Sequence, residues 1–139
     1  MYVSARTDYA VRAMLVIAAT AGDDLVKAAT LASAQEIPLS FLQGILLDLR
    51  RAGLLHSHRG TEGGYALSRP PHEITIGDVV RATNGALTAV RGLPVQIAAY
   101  RGAAVGLGEV WLAVHSAIED VVDRTTLADL LASRPGVPG

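Results

Sequence analysis

The side chains of this 139-residue chain that could do chemistry, by type and spacing, are amides, hydroxyls and guanidinium groups. Ser40 and Gln43 lie three residues apart, and Arg50 and Arg51 follow two turns later. Arg59 stands in a glycine-rich run with Gly60, Gly63 and Gly64. Such a set suits recognition of an anionic, hydrogen-bonding polymer. A glutamine amide can pair with adenine N6 and N7 in a bidentate way. Arginines at a helix end contact phosphate, which positions a protein without reading sequence. An arginine on a glycine-rich loop can enter a narrow minor groove, where the potential is most negative. The alternative for each is a solvated surface side chain. Catalytic sets are missing: there is no paired nucleophile and base, no P-loop and no dinucleotide fingerprint, so an enzyme is not expected.

Composition narrows the classes further. Half the residues are apolar, enough for a core, and the length fits one domain with a dimerisation appendage. Net charge is −1, yet residues 50–69 hold four arginines against Glu62 alone. That local excess could form a basic patch on a nearly neutral protein. The absence of cysteine excludes disulfides, thiolate catalysis and cysteine-ligated clusters. His56 and His58, two apart on a strand, would face one side, but no third ligand accompanies them and no metal is expected. His72 and His115 are isolated in sequence. The apolar run from Tyr9 to Ala21 is too short to span a membrane, and Asp8 and Arg12 interrupt it, so the cytoplasm is the expected location.

The elements that must position these residues follow from periodicity. Ser4 or Thr7 can cap a first helix with Ala10, Met14, Ile17, Ala18 and Ala21 on one face and Gly22 at its end. A short helix from Lys27 to about Gln35 buries Ala28, Leu31 and Ala32. Pro38 disfavours helical geometry before it and opens a third helix, with Leu42, Ile45, Leu46 and Leu49 as its buried stripe. Ser40, Gln43, Gly44 and Arg51 take the opposite face, and Gly53 is the stop. Two β-prone segments, Leu54–His58 and Gly64–Ser68, flank Arg59–Gly63 as a hairpin. Thr75 caps a further helix to about Thr83. Helix, short helix, tight turn, longer helix and hairpin make a mainly α, winged helix–turn–helix reading head from about Lys27 to Leu67, in which the longer helix lies in the major groove.

The C-terminal half is less regular. Residues 86–108 are rich in Gly and Ala without firm periodicity, and read as a loop with helical pieces. From Gly106 a helix carries Leu107, Trp111, Val114, Ile118 and Val121 in alternating steps of four and three. That seam predicts helix–helix pairing between two copies; a single buried helix is the alternative. Thr126 and Asp129 approach a capping box, after which Leu127, Leu130 and Leu131 can pack back. The expected division is a DNA-binding domain over 1–84, an effector or linker loop over 85–108, and a dimerisation helix with a C-terminal turn over 104–134.

The stretches TDYAVRAMLVIA (7–18), IPLSFLQGILLDLRRAGLLHSHRGTEGGYALSRPPHEITIGDVVRAT (37–83) and TLADLL (126–131) together resemble the Rrf2 family of bacterial transcription regulators. The most specific part is LRRAGLL…RG…GGYALSRPP…ITIGDVVRA. The resemblance spans almost the whole chain. It implies a homodimer paired through the long C-terminal helix, with one recognition helix in each half-site of a near-palindromic operator. Lys27, Ser40, Phe41, Gln43, Arg50, Arg51 and Arg59 are the expected DNA contacts. The family often has an acidic residue at the position of Gln43, which would favour cytosine, so a different operator is implied. Phe41 stands where the family often has Tyr, which leaves apolar contact with a thymine methyl. Tyr65 is expected to anchor the wing to the core.

The family pattern fails at its switch. Cluster-binding members carry three cysteines before the long helix, the last often in Cys-x-x-His-x-x-Trp. Here the matching stretch runs from Val105 to Trp111 and keeps only the Trp. Asp8 stands where some members supply a carboxylate ligand, but alone it suits a helix start better. No cofactor is therefore expected. A small-molecule or protein effector remains open, with Tyr100 and Arg101 as possible contacts. Some cluster-free members act with a partner enzyme, so a winged-helix module that regulates through a protein partner is the alternative reading.

Overall fold

A computed structural model of the protein describes residues 2–20, 24–96 and 99–133. The first helix, α1 (Ala5–Ala19), starts where Ser4 accepts a hydrogen bond from the Thr7 backbone N–H. It buries Ala10, Ala13, Met14 and Ile17 and ends at Thr20. The expected stop at Gly22 lies outside the described residues, as does Ala21. Thr7 does not cap; it is buried, and its hydroxyl donates to Asn84 Oδ1 at 2.9 Å.

The second helix, α2 (Ala28–Gln35), closes at Glu36 in the left-handed region, φ 53°. Chain direction reverses there, and α3 (Leu39–Arg51) begins after Pro38. Its stripe is as the spacing predicts: Leu42, Ile45, Leu46 and Leu49 have no exposed surface. Ala52 caps α3, and Gly53 takes φ 79° to turn the chain into the hairpin. Strands β1 (Leu55–His58) and β2 (Gly64–Leu67) pair antiparallel, with Leu55 opposite Leu67 and His58 opposite Gly64.

The hairpin has a third participant. Val26 forms a bridge with Tyr65: each backbone N–H donates to the other's carbonyl, at 2.9 and 2.8 Å. Gly64 makes this possible. A Cβ on it would stand 2.8 Å from the Val26 carbonyl oxygen, and its φ of 156° disfavours other residues. Tyr65 is half-buried against the main core, so it anchors the wing as expected.

A 3-10 turn (Pro71–Glu73) leads to α4 (Ile76–Asn84), which opens with a full capping box between Thr75 and Asp78. Next comes a second small hairpin, β3 (Ala89–Val90) with β4 (Leu93–Pro94), turned through Arg91 and Gly92 at φ 53° and 77°. Helical pieces were the expectation over 86–108. Before α5 opens at Leu107, the only one among the described residues is a 3-10 turn at Gly102–Ala104; the other described residues there are strand and loop, because two successive left-handed residues make a tight hairpin turn.

The long helix, α5 (Leu107–Val122), buries only His115 and Val122. Beside it lies a small second core of Val80, Leu87 and Val122, with Ile76 and Ile118 against it. The last helix, α6 (Leu127–Ala132), has its own capping box from Thr126 and Asp129 and returns to the head. Ile76 N–H donates to Thr125 O and Leu127 N–H to Ile74 O, and Leu127 is fully enclosed in the main core.

The α4–α5 junction is ionic. Arg81 donates two hydrogen bonds to Asp123, at 2.7 and 2.8 Å, and lies 3.5 Å from Glu119. The hydrogen bond from Arg81, supported by its charge, holds the Asp123 carboxyl below the usual carboxylate range against an opposing effect of burial. A carboxyl lowered by folding stabilises the fold above its ordinary range, and that contribution disappears as pH falls through the lowered value. Urea titrations should therefore show stability falling from about pH 5 downward. Asp123→Asn should flatten part of that dependence; an unchanged acid limb would mean that the pair contributes nothing. The effect is expected to be small, because the Asp123 side chain is 37% exposed.

Candidate nucleic-acid interface

Helix α3 carries its polar residues on the face away from the core because the four apolar residues recur at helical spacing and fix its rotation. Ser40, Gln43, Arg50 and Arg51 are all exposed. Gly44, expected on this open face, is half-covered instead. Arg6 reaches across from α1, donates to the Gly44 carbonyl at 3.3 Å and pairs with Asp48. A Cβ on residue 44 would sit 3.8 Å from the Arg6 guanidinium. Arg6 thus braces α3 against α1 and leaves Gln43 as the amide on the free face.

Phe41 is 40% exposed, with the rest of its ring engaged. It meets Tyr9 edge-on at 5.7 Å, and the Arg12 guanidinium lies 4.9 Å above the Tyr9 ring. Arg12 is held there by Asp8, at 2.6 Å, and donates to the Gln35 carbonyl at the end of α2. Asp8 therefore serves as the partner of Arg12. This column fixes the start of α3 relative to both preceding helices.

The wing lies beyond the far end of α3. Arg50 donates to Ser57 Oγ on β1 at 3.2 Å, which links the helix to the hairpin. Arg51 has no such partner among the described residues and points its charge at solvent. Arg59 and Gly60 form the exposed tip, with Gly60 at φ 105°. Gly63 is buried beneath: a Cβ there would lie 2.2 Å from the His58 carbonyl. The tip's shape is thus set by residues that have no side chain. His56 and His58 share the outer face of β1, ring centroids 5.2 Å apart. Among the described residues no group of three His, Cys, Asp or Glu could hold a metal ion. Lys27 is exposed at the start of α2, where no side chain caps the helix. A cation beside open helix N–H groups favours an anion such as phosphate.

On α5, Leu107, Trp111, Val114 and Val121 are exposed, while Ile118 turns partly into the second core. Val110, at 52% exposure, joins the outward face; the strict heptad spacing passes over it. Tyr100 packs its ring 3.4 Å from where a Cβ on Gly108 would stand, and Arg101 is exposed beside it. His115 proves central although it looked isolated. Its Nδ1 lies 2.7 Å from Thr88 Oγ1, its Nε2 lies 2.9 Å from Gln96 Nε2, and Glu119 stands at 3.6 Å. Sequence spacing carries no signal for His115 with Thr88 and Gln96, Arg6 with Asp48, Arg12 with Gln35 or Val26 with Tyr65, because those partners lie far along the chain.

A family model described as "Rrf2: iron-dependent transcriptional regulator" matches residues 3–133. A provisionally named HTH-type transcriptional regulator of Mycobacterium tuberculosis is 45% identical over 130 residues, covering 94% of this chain and 81% of the relative. CymR of Bacillus subtilis is 31% identical over 136 residues, covering 98% and 94%. Among solved structures, CymR, titled the global cysteine regulator of B. subtilis, superposes with a TM-score of 0.80 at 29% identity over 95% of this chain and 97% of that one. The IscR of T. potens gives 0.78 at 31% identity over 100% and 93%. These relatives are transcriptional regulators, not enzymes. The described residues do not fit an iron site of the kind the family description implies. There is no thiol in the sequence, and the stretch from Val105 to Trp111, which runs into α5, offers only glycines, aliphatic groups, Glu109 and Trp111.

Proposed function

This chain belongs to the Rrf2 family of transcriptional regulators, and on that premise we propose that it is a homodimeric, sequence-specific repressor that holds its operator without an iron–sulfur cluster. The observation that carries this reading is the pairing of an exposed polar face on α3 with a glycine-framed, arginine-tipped wing. A major groove about 12 Å wide admits α3, with Gln43 and Ser40 toward base edges and Phe41 toward a thymine methyl. Arg50, Arg51 and Lys27 then lie near phosphates and position the head. Arg59 enters the adjoining minor groove from the wing tip. The exposed apolar face of α5 supports pairing of two copies, which would present two heads to a near-palindromic operator. Bound there, the dimer blocks access to the promoter. The switch is a small molecule or a protein rather than a metal, because the cluster ligands are absent from the sequence.

Selection from random duplexes, followed by gel-shift titration at fixed salt, tests this. An enriched, near-palindromic site supports the reading; no enrichment above a random pool overturns it. On that site Arg59→Ala should weaken binding about tenfold, the usual size of one lost charged contact. A change within about twofold would remove Arg59 from the interface.

A further inference from the structure

The segment after α4 builds a groove of about 910 Å3 against α5. Its floor and walls come from Asn84, Thr88, Ala89, Val90, Trp111 and Val114, with the start of α1 at one end. None of the described lining residues carries a charge. The polar side chains that line it are Tyr2, Ser4, Asn84 and Thr88, with the indole N–H of Trp111. Asn84 Oδ1 is taken by Thr7, so its amide N–H groups have no protein partner among the described residues. Thr88 Oγ1 and Gln96 Nε2 meet the two ring nitrogens of His115, and with the Gln96 amide donating to Nε2 the ring donates from Nδ1 to Thr88 Oγ1. The Thr88 hydroxyl proton is then free to donate into the groove.

We infer that this groove is the binding site of a small, uncharged, largely apolar effector with one hydrogen-bond acceptor. The inference deepens the regulator reading and rests on it for the effector's purpose. Size fits, since pockets for small molecules span about 300–1,000 Å3. Charge fits as well: an ionic ligand would leave water without a compensating partner. Asn84 and Thr88 supply donors, and the indole of Trp111, 36% exposed, supplies an aromatic wall. The wall opposite α5 is formed by the segment after α4. It is anchored by buried Leu87 and Val95, and pinned to α5 through Thr88 and Gln96 on the single ring of His115. His115 is followed on the same helix by Glu119, which lies 3.5 Å from Arg81 of α4. A ligand that engages Thr88 therefore acts on a short polar chain ending in α4, which packs against α1 and α3.

The competing occupant is a second copy of this chain, because Trp111 and Val114 belong to both the groove and the outward face of α5. One titration separates them. N-phenyl-1-naphthylamine is an uncharged, apolar fluorophore whose absorption overlaps tryptophan emission, and Trp111 is the chain's only tryptophan. Added to the full-length protein, it should bind saturably, near one per chain, and quench Trp111. Ala89→Glu places a charge on an exposed strand residue of the groove wall. It should weaken the probe at least about tenfold while leaving the circular dichroism spectrum unchanged. Absence of saturable binding overturns the inference, as does binding that ignores Ala89→Glu. Binding that appears only on dilution to monomer also overturns it, and assigns the groove to the second copy. If the probe binds as described while selection finds no operator, the site stands and the regulator reading falls.

Discussion

Val110→Glu combined with Val121→Glu is expected to yield a folded monomer and to weaken operator binding by about 10²–10⁴-fold. Both residues lie on the outward face of α5, 52% and 66% exposed, so neither substitution removes core packing. With Leu107, Trp111 and Val114 they make one apolar face of a kind that soluble monomers rarely leave open. Pairing two such helices ties two heads together. The second head then binds at the effective concentration set by that tie, with no new contact to DNA. Glutamates facing each other across the pair would be buried and unpaired, which splits it. Sedimentation measures the mass, and gel-shift titration the affinity. A double variant that remains dimeric would move the interface elsewhere, and a wild-type monomer would remove it.

Leu127→Ala is expected to cost about 2–5 kcal/mol of folding stability, read as a lower urea midpoint. The size follows from position: Leu127 is fully buried in the main core, and its helix packs on α1 and the 3-10 turn, though it lies near the other end of the chain. Helix α6 spans only Leu127–Ala132 and is too short to persist alone, so its capping box, the backbone bonds to Ile74 and Ile76, and this side chain hold it in place. The whole head should therefore melt earlier, with α6 as part of it. A loss below about 1 kcal/mol would mean that the C-terminal helix is an accessory.

The reading head was legible because its signals are local. The stripe from Leu42 to Leu49 repeats at helical spacing, and Gly53, Gly60 and Gly64 mark chain reversals that few other residues tolerate. Tyr65, expected to anchor the wing, packs half-buried against the main core. What stayed hidden was set by distance or by a single residue. Val26 pairs as one bridge, with no alternation to betray a strand. Arg6 finds Asp48 far along the chain, so the open face of α3 came out one residue too wide at Gly44. The small hairpin at 89–94 turns on Arg91 in a left-handed conformation, and arginine is not a residue that announces such a turn. His115 acquires meaning only when Thr88 and Gln96 fold over it. On α5 the heptad spacing predicted one apolar stripe, whereas Ile118 leans inward and Val110 outward.

The wing tip has a consequence for how this protein can change over generations. Its curve depends on Gly60, on Gly63 beneath the His58 carbonyl and on Gly64 against Val26. Arg59, Thr61 and Glu62 project from that curve and bury nothing. Substitutions at those three positions leave the fold's energetics almost untouched, while any at the glycines would break the loop. Binding preference at the wing can therefore drift by single codons, without an unstable intermediate, like a tool whose bit is changed while its handle stays the same.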